Sequence, residues 1–298
     1  MKIMLKNLCG HAFAYMNMML LSKRVMGNLV TMFRVWQVSA SIMSRHLITY
    51  DRRGLDSRLE HEIVNAFGFE NKTGLFVHWG VYESGQTWAV RNAAIRLQQN
   101  CGRFAIFLEG YDFSFKNTAR EWLQVNLGIP EDCRKDMIPM YLPLSHKPML
   151  IIDHADECLK IYGGRELVLS FQELGIPVLC LVRSWENALD LHNRGCQLLG
   201  TPGFSRWTES ELLDLYNTFP QGIQEKCKGN KEAIIECAVL SGSPGILWHD
   251  ARLNAKPSMH RARVMDTEWK NGIRALNGED MQGVTGRFPD KNGTFHWN

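Results

Sequence analysis

From about residue 59 the chain alternates short apolar runs with longer stretches whose apolar positions recur at helical spacing. Residues 73–79, TGLFVHW, have a strand's length and a glycine at the exit. Residues 87–100, TWAVRNAAIRLQQN, are rich in helix formers and place Val90, Ala94 and Leu97 on one face, with Gly102 as a stop. RFAIFLEG (103–110) predicts a second strand and NTAREWLQVNLG (117–128) a helix. PMLIID (148–153) predicts a third, fully buried strand. PVLCLV (177–182) predicts a fourth, with Pro177 at the first position, where a missing N–H is tolerated. CQLLG (196–200) is a short candidate for a fifth.

Strands separated by helical patterns imply right-handed crossovers and a mostly parallel sheet covered on both faces. The expected fold is therefore α/β, a three-layer sandwich around a mostly parallel central sheet of about five strands. Functional groups in such folds gather at the carboxyl ends of the strands. The polar oddities of this chain fall there. The segment from Gly80 to Thr87 follows the first strand, Asp153 closes the third, and Arg183 and Ser184 close the fourth.

The pattern changes after about Pro202. TESELLDLYNTF opens with Thr208 and Glu211 at capping-box spacing, and Leu212, Leu215 and Tyr216 form a helical stripe. KEAIIECAVLSGSPGILWHDA reads as further helix, interrupted from Gly242 to Gly245. Four regions follow: a leader over 1–50, an α/β domain over 51–202, a small helical lid subdomain over 203–254, and a basic Gly/Asn-rich tail over 255–298 to which the sequence assigns no structure.

Charge singles out the leader. It holds no Asp or Glu, while Lys2, Lys6, Lys23, Arg24, Arg34 and Arg45 are spread along a Met-rich apolar background. Lys23 and Arg24 split that background, so neither half reaches the ~20 apolar residues of a membrane-spanning helix. Organelle targeting, an interfacial amphipathic helix, a poorly ordered extension and a helix packed on the body all fit such a segment. Elsewhere the composition is that of a globular protein, 45% hydrophobic and 22% charged over 298 residues. A net charge of +3 is too small to imply a nucleic-acid partner. The eight cysteines are scattered without a C-x-x-C pair, as expected of small buried hydrophobes in an intracellular, reducing compartment.

The stretch GVYESGQTW brings chemistry into the picture. In a G-x-x-x-x-G-K-[ST] loop, successive backbone N–H groups curl around phosphates and the next helix presents its positive end to them. The lysine adds a charge to the outer phosphates and the hydroxyl holds magnesium. Gly80, Ser84, Gly85 and Thr87 supply that geometry between a strand and a helix, but Gln86 stands where the lysine belongs. A glycine turn linking strand to helix is the plain alternative. MLIIDHADE supplies a second element, an apolar strand ending in Asp153 some seventy residues on, with one strand between.

Residues from about 73 to 248 resemble a P-loop NTPase of the additional-strand class, the AAA+ and STAND-like group. GVYESGQTW corresponds to Walker A, MLIIDHAD to Walker B, PVLCLVRS to the sensor-1 strand and SGSPGIL to a lid-helix turn. The resemblance implies a five-stranded sheet with a helical lid, ATP or ADP with Mg2+ held by Thr87 and Asp153, and use as a switch or motor in larger assemblies. It implies a protein partner or a homo-oligomer, with nucleic acid a weaker alternative.

The departures from the pattern are specific. Gln86 cannot carry charge, and a charge-assisted hydrogen bond contributes ~1.5–3 kcal/mol, so its loss could weaken nucleotide binding by ten- to a hundredfold. His154 replaces the Glu that usually follows the Walker B Asp; it could act as a base, or be a packed, hydrogen-bonded residue. Asp156 and Glu157 are close enough in sequence to substitute. Ser184 and Arg183 occupy the sensor-1 neighbourhood, and Arg183 could restore charge or be an ordinary surface arginine. Trp79 and Trp88 flank the loop as base-stacking or core residues. Arg194 and Arg206 are candidates for a trans-acting finger. Three readings compete: a degenerate nucleotide binder with little or no hydrolysis, an active Mg-dependent ATPase with atypical residues, and a non-catalytic protein- or nucleic-acid-interaction module.

Overall fold

The computed structural model describes residues 58–110, 118–122, 147–203 and 206–279. The leader over 1–50, most of the helix expected over 117–128 and the end of the tail lie outside them.

Apolar runs become strands and the helical patterns become the elements between them. Helix α1 (Arg58–Val64) continues into a π-helical turn at Asn65–Phe69. Strand β1 (Gly74–Trp79), helix α2 (Gln86–Cys101) and strand β2 (Arg103–Glu109) follow. Then come β3 (Lys147–Asp153), α3 (Ala155–Leu159), α4 (Gly164–Ser170) and β4 (Pro177–Val182). Helix α5 (Trp185–Asn193) and the short β5 (Gln197–Leu198) complete the α/β part.

These strands form a five-stranded parallel sheet in the order β2-β3-β4-β1-β5, flanked by helices. All six residues of β4 are buried, as are those of β1 from Leu75 onward. That burial is why both read as mainly apolar runs, broken in β1 only by the buried His78, rather than as alternating ones. In the β2–β3 ladder Arg103 faces Lys147 and Glu109 faces Asp153. The parallel register thus brings two strand-closing carboxylates to one level at the carboxyl end.

The chain divides into two compact units. The first holds the described residues up to His78 and those of Gln86–Leu181. Its helices α1 and α2 pack together, and Phe67 meets Phe76 edge-on with ring centroids 5.0 Å apart. Burying side chains such as Phe67, Phe76, Phe107 and Ile106 stabilises the fold by roughly 1.5–3 kcal/mol each. Arg103 is tied in by its Nε–H, which donates to the Phe67 carbonyl at 2.6 Å.

The second unit holds Trp79–Gly85 and the residues from Val182 onward. Its helices are α6 (Glu209–Asn217), α7 (Gln221–Lys226), α8 (Lys231–Ser241), α9 (Pro244–Leu253) and α10 (Met259–Leu276). Thr208 and Glu211 form the capping box at the start of α6. The interruption between α8 and α9 is a left-handed Gly242 followed by Ser243, whose hydroxyl accepts from the Ile246 N–H.

Helix α10 lies in the tail to which the sequence assigned no structure. Its buried face is Ala262, Met265, Asp266, Trp269, Gly272 and Ala275, a helical stripe disguised by small and charged members. Asp266 is held by Arg206 at 2.7 Å and Lys270 at 2.5 Å. Gly272 is needed for close approach, because a Cβ there would lie 2.3 Å from the Trp79 ring. Trp79 is accordingly a core residue, edge-on to Trp269 at 5.0 Å. The Trp269 indole N–H donates to the Ser241 carbonyl at 2.8 Å.

Candidate functional site

Within the first unit, the site is built where β3 ends and α2 begins. Thr87, the second residue of α2, donates its hydroxyl to Asp153 Oδ1 at 3.1 Å. The His154 backbone N–H donates to the same oxygen at 2.9 Å. Asp153 Oδ2 is buried and has no hydrogen-bond partner, on a residue only 2% exposed. A buried carboxylate oxygen left unsatisfied is costly, by about 1–3 kcal/mol or more, and invites a cation or a water.

His154 sits in the left-handed region at φ 54° and ψ 40°, ahead of α3. Its Nδ1 lies 2.9 Å from Glu109 Oε2 and 3.9 Å from Asp153 Oδ1. Gly110 permits this pairing, since a Cβ there would fall 2.0 Å from the His154 carbonyl oxygen. Asp156 is buried in the first turn of α3, and Glu157 pairs with Lys160 at 2.9 Å. Gln86 does not reach outward. It is 7% exposed and its Nε2 donates to the His78 carbonyl at 3.2 Å.

The second unit carries residues 80–85 of the loop, joined to Gln86 by the chain itself. The Gly80 N–H donates to the Val182 carbonyl at 3.2 Å and the Ser84 N–H to the Val81 carbonyl at 3.1 Å. Two of the loop's amides are thus already engaged. Glu83 at φ 60° and Gly85 at φ 83° curl the chain, and the Ser84 hydroxyl is buried with no hydrogen-bond partner.

Glu83 anchors the loop to the carboxy-terminal helices. Its carbonyl accepts from the Gly245 N–H at 3.0 Å and from Ser243 Oγ at 2.7 Å. Its carboxylate pairs with Arg261, with His249 Nε2 3.7 Å away. Asp250 lies 3.9 Å from Arg261; burial pushes its carboxyl up from the ordinary value, against the pull of Arg261.

Arg183 is exposed and stacks its guanidinium over the Tyr82 ring at 4.8 Å. Ser184 caps α5 by accepting from the Asn187 N–H at 3.2 Å. Of the finger candidates, Arg194 pairs with Asp190 at 3.1 Å. Arg206 bonds the Leu240 carbonyl at 2.9 Å and Asp266 at 2.7 Å, which ties it to α8 and α10. No disulfide joins the described cysteines. Burial pushes the Cys158 thiol up to about 12, which favours the thiol over the thiolate.

Glu83, Glu109 and Arg261 escaped the sequence reading. Glu109 had a usable signal, because it closes the second strand just as Asp153 closes the third. Glu83 and Arg261 lie 178 residues apart, and no local pattern joins them.

No family model and no curated protein matches the chain. Among solved structures it is similar to the Orc1 protein of Aeropyrum pernix, determined in complex with DNA, at 16% identity and TM-score 0.45, covering 81% of this chain and 69% of that one. It is similar to Cdc6p of Pyrobaculum aerophilum at 14% identity and TM-score 0.39, covering 80% and 68%. It is also similar to katanin, from a study of self-assembly, at 12% identity and TM-score 0.40, covering 84% and 92%. At these values the likeness says nothing about the chemistry of the site.

Proposed function

We propose that this chain is a degenerate P-loop ATPase-like protein of the AAA+/STAND-like kind, which binds ATP or ADP weakly or structurally and hydrolyses it little or not at all. The carrying observation is the Thr87–Asp153 hydrogen bond of 3.1 Å beside the unpartnered, buried Asp153 Oδ2. A hydroxyl and a carboxylate with a spare oxygen are the donor set for Mg2+, so Thr87 and Asp153 would hold the ion that accompanies a nucleotide. Bound there, Mg2+ would neutralise phosphate charge. The amino end of the sixteen-residue α2 supplies backbone N–H groups and a positive dipole end for phosphate.

Weak binding would follow from the make-up of the loop itself. Gln86 is neutral and bonded to the His78 carbonyl, so no loop lysine meets the outer phosphates. Glu83 places an acid within the loop, where it opposes an incoming polyanion. With Gly80 and Ser84 amides engaged, the anion cup has fewer donors. Stabilisation of charge on a transferring phosphoryl group suffers most from such losses. The protein would then act as a nucleotide-sensitive switch or scaffold with a protein partner or a second copy of itself, in a reducing intracellular compartment.

A second reading, an active ATPase, is favoured by the His154–Glu109 pair at 2.9 Å. A carboxylate on one ring nitrogen fixes the orientation of the imidazole and leaves its other nitrogen for a water or substrate proton. Titration of purified full-length protein with ATP and ADP, with and without Mg2+, separates the two when paired with a turnover assay. Mg-dependent binding without turnover supports the first reading. Turnover lost in Asp153→Ala supports the second, and no binding in any condition removes both.

A further inference from the structure

We propose that Glu109, Asp153 and His154 form a binding site for a transition-series divalent cation, with one imidazole nitrogen and carboxylate oxygens of both acids as ligands. Each residue offers one ligand atom, and these atoms lie within 4.8 Å of one another. His154 Nδ1 is 2.9 Å from Glu109 Oε2 and 3.9 Å from Asp153 Oδ1. Ions of this class bind N and O at about 2.0–2.2 Å, which sets neighbouring ligand atoms roughly 3.0–3.5 Å apart. Binding one ion would draw the three donors together from their present separations of up to 4.8 Å.

Asp153 supplies independent support, because its buried Oδ2 has no hydrogen-bond partner. A cation held by both oxygens of the Asp153 carboxylate would satisfy it, and would replace the Nδ1–Glu109 contact by two bonds to the same ion. The backbone places the three residues side by side. Glu109 and Asp153 are register partners at the ends of β2 and β3. His154 follows directly, turned by its left-handed conformation against Gly110.

The donor set selects the ion. Mg2+ prefers all-oxygen surroundings and keeps its waters, whereas an imidazole nitrogen favours Zn2+, Fe2+ or Ni2+, for which Co2+ is a coloured stand-in. The proposal shares Asp153 with the nucleotide reading but does not rest on it.

The test is a Co2+ titration of the full chain in nucleotide-free buffer, followed by visible absorption. One Co2+ per chain with a nitrogen/oxygen-type spectrum, surviving about a hundredfold excess of Mg2+, is expected. Glu109→Gln and His154→Asn should each weaken binding by about tenfold or more. Asn tolerates the left-handed backbone of position 154, so His154→Asn carries the test should Glu109→Gln fail to fold. Unchanged Co2+ affinity in the folded variants would overturn the proposal, as would a thiolate-to-cobalt charge-transfer band, equal preference for Mg2+, or no binding. A separate ATP titration distinguishes the two ideas. Nucleotide binding without Co2+ binding sinks only this one, and the converse sinks only the nucleotide reading.

Discussion

Thr87 and Asp153, 66 residues apart in the chain, share a hydrogen bond of 3.1 Å at the carboxyl end of the sheet. The bond leaves one carboxylate oxygen satisfied by Thr87 and by the His154 N–H, and the other buried with no hydrogen-bond partner. Thr87→Val removes one donor from a buried acceptor. It should cost about 1 kcal/mol of stability and abolish any Mg2+ dependence of nucleotide binding. Urea denaturation and calorimetric titration check the two effects.

Gln86→Lys is expected to raise ATP affinity by about tenfold or more, because a charge-assisted hydrogen bond adds ~1.5–3 kcal/mol. The native side chain is 7% exposed and bonded to the His78 carbonyl. The gain therefore requires the ammonium to swing out of that position, and the measurement is a direct comparison of ATP dissociation constants. An unchanged constant would show that the fault lies in the loop and not in this residue.

Glu83→Gln removes an acid from the loop and takes one of two carboxylates from Arg261, with Asp250 still 3.9 Å away. Anion affinity should rise several-fold at low salt, and the gain should shrink as ionic strength shortens the Debye length to about 8 Å. Pyrophosphate titrations at low and physiological salt read this out. Loss of affinity would mean that the Glu83–Arg261 pair shapes the loop more than its charge opposes the ligand.

Gly110→Ala would drive a methyl group to within 2.0 Å of the His154 carbonyl oxygen. Backbone must move to relieve it, so a loss of about 2 kcal/mol or more is expected, measured by thermal or urea unfolding. A variant as stable as the parent would mean that the Glu109–His154 arrangement is loose.

Asp266 carries a pH signature. Burial pushes its carboxyl up, but the hydrogen bonds from Lys270 and Arg206 outweigh burial and leave it below the ordinary 3.8. A depressed carboxylate contributes stability above its unfolded value and loses it as pH falls through the folded one. Asp266→Asn should therefore be destabilising at neutral pH, with the difference from the parent shrinking once the pH drops below 3.8. Unfolding curves at a series of pH values check this, and a difference that stays constant into acid would exclude the charge as its source.

The sequence alone determined the strand core and its polarity. Strands buried on both faces are mostly apolar, so β1, β3 and β4 announce themselves despite the buried His78, and the polar residues that follow those runs fall at the carboxyl edge. Thr208 and Glu211 were equally legible, because a capping box lies within one turn of chain. Tertiary structure decided what those groups touch. Gln86 turns back onto β1, Glu109 meets His154 across the β2–β3 register, and Glu83 finds Arg261 from 178 residues away. Helix α10 was hidden because its packing face uses Gly272 and Asp266, one fitted under Trp79 and the other neutralised by Arg206 and Lys270. Burial and periodicity are carried by neighbours in the chain. Pairing between distant polar groups depends on sheet register and close approach, which exist only once the chain has folded.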